Sequence, residues 1–250
     1  MRTAVVLSAV ALLATACGSD PAPAAQPEGK TLTVFAAASL TESFTALGKQ
    51  FEAAHAGVTV RFNFAGSSAL VQQLTQGAKA DVFASADQAN MDKGVKSGVI
   101  DGQPVVFATN KLTIAVGKGN PKGITSFADL TKAGLKVVVC APQVPCGAAE
   151  QKVETATKAD VKPVSEEQDV KAVLAKVTSG DADAGLVYVT DATTAAAKVD
   201  KVDFPESSGA INDYPIAAVN GGQADLAKAF NDYILSGGRP ELTKAGFGTP

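Results

Sequence analysis

Short buried strands alternate with amphipathic helices along most of this chain, and small or hydroxyl-bearing residues mark the points where a strand gives way to a helix. Residues 31–42 show the pattern. Leu32 and Val34 belong to an apolar strand, and Ser39 and Glu42 have the spacing of a helix capping box. This alternation predicts an α/β fold built from mostly parallel sheets flanked by helices.

The strand–helix order runs through once before about residue 108 and again after about residue 111, which favours two lobes over one long sheet. We expect the first lobe to comprise residues 31–108 and 206–250, and the second lobe residues 109–205, with a ligand cleft between them. The chain of 250 residues is 46% hydrophobic, which is enough to bury a sizeable core in each lobe.

Helix starts that follow strands recur at Ser67, Cys146 and Val170, and residues 165–168 have the sequence of a further capping box after a weak edge strand at 161–164. In α/β sheets, ligands collect at the carboxyl ends of strands, where helix N-termini present free N–H groups and the positive ends of helix dipoles. Several such termini facing one cleft predict a site for a small anion that needs neither Lys nor Arg.

The first residues indicate export. Residues 1–16 have the positive start and short apolar stretch of a signal peptide. Residues 14–17, Ala-Thr-Ala-Cys, resemble a lipobox, which predicts a lipidated Cys17, a linker over residues 17–30 and anchoring to the outer face of the cell membrane. The alternative is an ordinary secretory signal cleaved nearby, and either interpretation places the mature protein outside the cytoplasm.

Cysteine usage agrees with an oxidising compartment. With Cys17 assigned to lipid, Cys140 and Cys146 remain as an even pair that a disulfide can join. Closing that short loop would contribute about 2 kcal/mol in the chain-entropy model. The spacing is not C-x-x-C, so a thioredoxin-like redox role is not expected.

Other classes of function find little support. A net charge of −3 gives no basic footprint for nucleic acid. His55 is the only histidine, no nucleotide-binding glycine motif is present, and the acidic residues are scattered, so we expect neither catalysis nor a cofactor or metal. Two alternatives from other classes stay open: a hydrolase that uses Ser39, and an adhesive lipoprotein without a small ligand.

Six segments carry a resemblance to a known family: VFAAASL at 34–40, FAGSSAL at 64–70, ADVFASAD at 80–87, VPCGA at 144–148, EQDV at 167–170 and GLVYVTDA at 185–192. Together they resemble the molybdate-binding protein of bacterial molybdate ABC transporters, in order over residues 31–247. The resemblance implies a two-lobed periplasmic-binding-protein fold of type II. It also implies that a monomer delivers molybdate, and tungstate as well, to a membrane permease.

The resemblance also implies a set of ligand contacts. Hydroxyl donors fall on Ser39, Ser67 and Tyr188, and backbone N–H donors fall on Cys146 and Val170. Cys146 departs from the family pattern, which has a small Ala there, but a backbone contact tolerates the change. The neighbouring Ser68 is an alternative to Ser67, and the same fold holding sulfate or another oxyanion is the alternative function.

Overall fold

The computed structural model describes residues 29–250. The predicted signal peptide, the lipidation site at Cys17 and nearly all of the linker lie outside the described residues. The strands within that range are β1 (Lys30–Ala37), β2 (Val58–Ala65), β3 (Val82–Ala84), β4 (Ile100–Asn110), β5 (Leu112–Gly117), β6 (Val137–Cys140), β7 (Ser165–Glu167), β8 (Ala184–Tyr188), β9 (Val199–Val202) and β10 (Asn212–Val219).

Helices follow most of these strands. They are α1 (Thr41–Ala54), α2 (Ser67–Thr75), α3 (Gln88–Lys96), α4 (Pro145–Thr157), α5 (Val170–Ser179), α6 (Val189–Thr194), α7 (Ala224–Leu235) and α8 (Arg239–Lys244). Three short 3-10 helices occupy Ala38–Leu40, Phe127–Thr131 and Pro205–Gly209. Within the described residues, no helix combines the length and the apolar character needed to cross a membrane.

The strands form two five-stranded sheets, and we name the lobes by them. The first lobe is the sheet β2-β1-β3-β10-β4 with the helices α1, α2, α3, α7 and α8 around it. The second lobe is the sheet β7-β6-β8-β5-β9 with α4, α5 and α6. In each sheet one strand, β10 or β5, runs antiparallel to its two neighbours, and the other four share one direction. The predicted α/β fold with two mostly parallel sheets is confirmed.

Each lobe has its own hydrophobic core. In the first lobe, Leu32 of β1 is buried with Phe44 of α1 and Phe230 of α7. In the second lobe, Ile114 of β5 and Leu186 of β8 belong to one buried cluster with the apolar stripe of α5. Separate cores let the lobes move as units, because relative motion does not disturb the packing inside either one.

The chain passes between the sheets twice. Lys111 alone separates β4 from β5, and a segment containing the 3-10 helix Pro205–Gly209 separates β9 from β10. Two short crossings of this kind are typical of a hinge. The residue boundaries that we predict for the lobes stay a prediction.

Two helix starts differ from the sequence prediction. Ser39 lies inside the 3-10 helix Ala38–Leu40, and α1 begins only at Thr41, so Ser39 and Glu42 form no capping box. Residues 165–167 form strand β7 at the edge of the second sheet, four residues later than the predicted edge strand, and the side chain of Asp169 caps α5. In both cases the serine of the predicted capping box has a partner outside the motif: Ser39 meets Tyr214, and Ser165 accepts a hydrogen bond of 3.0 Å from Lys176.

Candidate anion-binding site

A small cavity lies between the two lobes. It lies where strands β1, β2, β6, β7 and β8 end and the following segments begin, which is the position predicted from the strand–helix junctions. The structure brings all five predicted site residues to its lining: Ser39, Ser67, Cys146, Val170 and Tyr188. Ser68, the alternative to Ser67, is not among the lining residues.

The first lobe contributes two serine hydroxyls. Ser39 Oγ lies 2.9 Å from the hydroxyl of Tyr214, which is buried on β10. Ser67 is the first residue of α2, and its Oγ accepts a hydrogen bond of 2.9 Å from the backbone N–H of Ala86. That bond occupies a lone pair of Ser67 and leaves its proton available for another acceptor.

The second lobe contributes two helix N-termini. Pro145 starts α4, and Cys146 follows it, joined to Cys140 by a disulfide bond. Val170 starts α5, whose N-cap Asp169 accepts from the backbone N–H of Ala172. Helix geometry leaves the N–H groups of Cys146 and Val170 without an acceptor inside their own helices. Both are available to a ligand in the cavity.

Tyr188 is the most informative side chain of the site. It is 1% exposed, and its hydroxyl has no hydrogen-bond partner among the described residues. Burial raises the pKa of Tyr188 well above its ordinary value, helped by Tyr214, Asp87 and Asp191, so the hydroxyl keeps its proton. A buried donor without an acceptor is destabilising by about 1–3 kcal/mol. An acceptor that enters the cavity removes that penalty.

The electrostatics of the cavity rest on dipoles rather than on cations. Its lining contains no Lys, Arg or His side chain. The carboxylate of Asp169 accepts a hydrogen bond from the backbone N–H of Ala172, in the first turn of α5. The N-termini of α2, α4 and α5 and the 3-10 helix at Ser39 supply partial positive charge. The arrangement can hold a small anion that accepts hydrogen bonds on every side, and it offers few acceptors to a protonated ligand.

The lobes are closed around this cavity. Asn212 on β10 donates to the carbonyl of Ala86 at 2.7 Å and to that of Pro145, in the second lobe, at 3.4 Å. Ser39, at 5%, has the largest exposed fraction among the five predicted site residues. A ligand held by these groups is enclosed, so it enters and leaves only when the lobes part.

The sequence did not reveal the polar residues that lie behind the predicted donors and hold them in position. Tyr214 holds Ser39, and the amide of Asn110 lies 3.5 Å from the Tyr214 hydroxyl and 2.9 Å from Thr190 Oγ1. These residues are far apart in the chain, and no local motif marks them. The available signal is a tyrosine at the start of an apolar run, as Tyr214 is in β10.

Comparison with known proteins agrees with this architecture. The family model described as bacterial extracellular solute-binding protein matches residues 32–248. The molybdate-binding protein ModA of Mycobacterium tuberculosis is 52% identical over 242 residues, covering 94% of this chain and 92% of that protein. The molybdate-binding protein ModA of Escherichia coli is 34% identical, covering 87% and 88% of the two chains.

Among solved structures, the periplasmic molybdate-binding protein of Azotobacter vinelandii superposes with a TM-score of 0.74 at 23% identity. The match covers 88% of this chain and 99% of that one, and at this identity it shows a shared fold. The family resemblance found in the sequence is confirmed by the relatives above. The chain belongs to the bacterial extracellular solute-binding proteins and, among them, to the family of the molybdate-binding protein ModA.

Proposed function

We propose that this protein captures molybdate, and tungstate as well, in the cavity between its lobes and delivers the anion to the membrane permease of an ABC importer. The observation that carries the proposal is the buried, protonated and unpartnered hydroxyl of Tyr188, a residue that lines a cavity ringed by helix N-termini. The names of the relatives that are 52% and 34% identical support molybdate over sulfate.

Binding follows from the donor set. The hydroxyls of Ser39, Ser67 and Tyr188 and the N–H groups of Cys146 and Val170 donate to the oxygens of a tetrahedral dianion. Hydrogen bonds to a charged acceptor contribute about 1.5–3 kcal/mol each. A protonated oxyanion leaves its own hydrogen without an acceptor and is rejected, which is how a neutral site selects a fully deprotonated ligand.

The remaining parts of the proposal concern setting and partners. A lipid on Cys17 holds the protein at the outer face of the membrane, and the linker over residues 17–30 lets the lobes reach the permease. The protein acts as a monomer and performs no catalysis. His55, the only histidine of the sequence, stands at the C-terminal end of α1, away from the cavity lining, so no Ser–His pair forms there.

A titration of the purified protein with molybdate, tungstate, sulfate and phosphate tests the proposal. Molybdate and tungstate are expected to bind and to raise the melting temperature, because a ligand at 100 times its Kd stabilises the folded state by about 2.7 kcal/mol. Sulfate and phosphate are expected to give small shifts at the same concentrations. Sulfate binding as tight as molybdate binding would contradict the assignment.

Tyr188→Phe tests the site itself. Loss of the hydroxyl is expected to weaken molybdate binding by about 1–3 kcal/mol, because one donor to a charged ligand disappears. Stability without anion should stay the same or rise, since the variant removes a buried donor that has no partner. Tyr233→Phe is the control, because the Tyr233 hydroxyl donates to Gln50 at 2.8 Å on the surface. Unchanged affinity by calorimetry in Tyr188→Phe removes that residue from the site.

A further inference from the structure

Lys171 connects the two lobes beside the cavity without lining it. It follows Val170 in the first turn of α5, and its ammonium group donates to both carboxylate oxygens of Glu42, at 2.9 and 2.8 Å. Glu42 lies in the first turn of α1, in the other lobe. The same ammonium group lies 2.9 Å from Asp191 Oδ1.

The two ion pairs differ in what opening would do to them. Lys171 and Asp191 both belong to the second lobe, on α5 and α6, so their pair persists when the lobes part. The pair between Lys171 and Glu42 crosses the cleft and must break. Asp191 is 1% exposed, and its second oxygen accepts a 3.2 Å bond from the backbone N–H of Tyr188. The crossing pair is thus anchored on the segment that holds Tyr188.

The ion pair between Lys171 and Glu42 is more sheltered from water than an ordinary surface ion pair, at least on its Lys171 side. The side chain of Lys171 is 24% exposed, whereas that of Glu42 is 48% exposed. Burial alone would lower the pKa of Lys171, but the charges of Asp191 and Glu42 outweigh it and raise that pKa, so the ammonium stays charged. Burial raises the pKa of Asp191, and Lys171 opposes that rise. Lys171 is therefore held in place by Asp191 whether or not Glu42 is near.

We propose that Glu42 and Lys171 form a latch that closes only when the lobes close, and that this latch sets how slowly the anion is released. The inference rests on the proposed function and deepens it. Both are positioning residues, because neither lines the cavity. Removing the Glu42 carboxylate destabilises the closed form only, because the open form has no ion pair between Glu42 and Lys171.

Charge alone predicts the opposite result. Glu42 carries a negative charge near the first turn of α1, so neutralising it would strengthen anion binding if its field were what mattered. The latch predicts weaker binding on the same change. The sign of the effect therefore separates the two explanations.

Glu42→Gln is the test, because it keeps the size of the side chain at a half-exposed position and leaves Lys171 paired with Asp191. Glu241→Gln is the matched control: it makes the same change of charge in the first turn of α8, in the same lobe as Glu42 and outside the cavity lining. The rate of release is measured by chasing bound radiolabelled molybdate with an excess of unlabelled anion, and Kd is measured by calorimetry.

We expect Glu42→Gln to speed release and raise Kd by about three- to tenfold, which corresponds to about 0.7–1.4 kcal/mol, while Glu241→Gln matches wild type. The difference between Glu42→Gln and wild type should shrink at high ionic strength, because salt screens an ion pair at this exposure. Release from Glu42→Gln at the rate of Glu241→Gln, or tighter binding in Glu42→Gln, overturns the latch.

A second measurement separates failure of the latch from failure of the proposed function. If wild type binds none of the oxyanions, the proposed function fails, and the latch is judged on the unliganded protein by small-angle X-ray scattering. A larger radius of gyration in Glu42→Gln than in wild type and Glu241→Gln supports the latch. Equal radii in that case overturn it.

Discussion

At Gly66 the backbone of the first lobe closely approaches the backbone of the second lobe beside the cavity. It caps α2 in the first lobe with φ of −60° and ψ of 138°, a conformation open to any residue. A Cβ placed on Gly66 would lie 2.1 Å from the carbonyl oxygen of Gln168 in the second lobe, and 3.6 Å from the Cβ of Asp169. Gly66→Ala therefore leaves the first lobe unstrained and obstructs closure.

The size of the effect follows from that distance. Carbon–oxygen contacts shorter than about 3.3 Å are repulsive, so the lobes must separate by about 1 Å at this point. Hydrogen bonds to nitrogen donors span only about 2.7–3.2 Å, so donors of the second lobe move out of range of an anion held by the first. Losing one or two such bonds costs about 2–4 kcal/mol, which raises Kd roughly 30- to 1,000-fold.

Calorimetric titration with molybdate measures the loss of affinity, and thermal unfolding without anion measures stability. The Gly66→Ala variant should unfold at the wild-type temperature without anion and lose most of the stabilisation that molybdate gives to wild type. Gly117→Ala is the control, because a Cβ on Gly117, at the end of β5, meets no atom within 4 Å. Wild-type affinity in Gly66→Ala would refute this account of closure, and so would an equal loss of stability in the unliganded protein.

Two further predictions concern the second lobe. Replacing Cys140 and Cys146 by Ser should lower the free energy of unfolding in urea by about 2 kcal/mol, because the disulfide closes a short loop, and binding should weaken as the N-terminus of α4 loosens. Burial and the nearby Glu154 and Glu166 raise the pKa of Glu150 to about 8. The Glu150 carboxyl therefore stays protonated in the folded protein up to about pH 8, whereas in the unfolded chain it loses its proton above about pH 4.5. Between these two pH values the free energy of unfolding falls by up to about 1.4 kcal/mol per pH unit. Glu150→Gln should abolish that fall in denaturation measured across the same pH range, whereas Glu206→Gln should retain it.

The fold could be predicted because its signals are local and repeated. Apolar alternation in β2 and the apolar stripe of α5 both depend on neighbouring residues, and one element after another gave the same α/β pattern. The five site residues were predicted by a family resemblance together with the rule that helix N-termini meet at the carboxyl ends of strands. The structure brings them together at one cavity, and their binding of molybdate stays a proposal until it is measured.

What could not be predicted depends on partners distant in sequence. Ser39 has the spacing of a capping residue, but its hydroxyl meets Tyr214, which lies 175 residues further along the chain. Glu42 fits a capping box equally well and instead meets Lys171, 129 residues away. A local motif indicates which hydrogen bonds a side chain can form, and the tertiary packing determines which of them it forms.

A site made of neutral donors ties affinity to closure more tightly than a site with a cation would. A lysine in the cavity would attract the anion to an open lobe, whereas short-range donors act only within hydrogen-bond distance. Closure then supplies the donors of the second lobe and seals the cavity in one step. Glu42→Gln and Gly66→Ala change that step and remove none of the proposed donors, so both should change Kd for molybdate and for tungstate by the same factor. Under the proposed function, selectivity between anions resides in the donors, and only changes at residues such as Tyr188 should alter it.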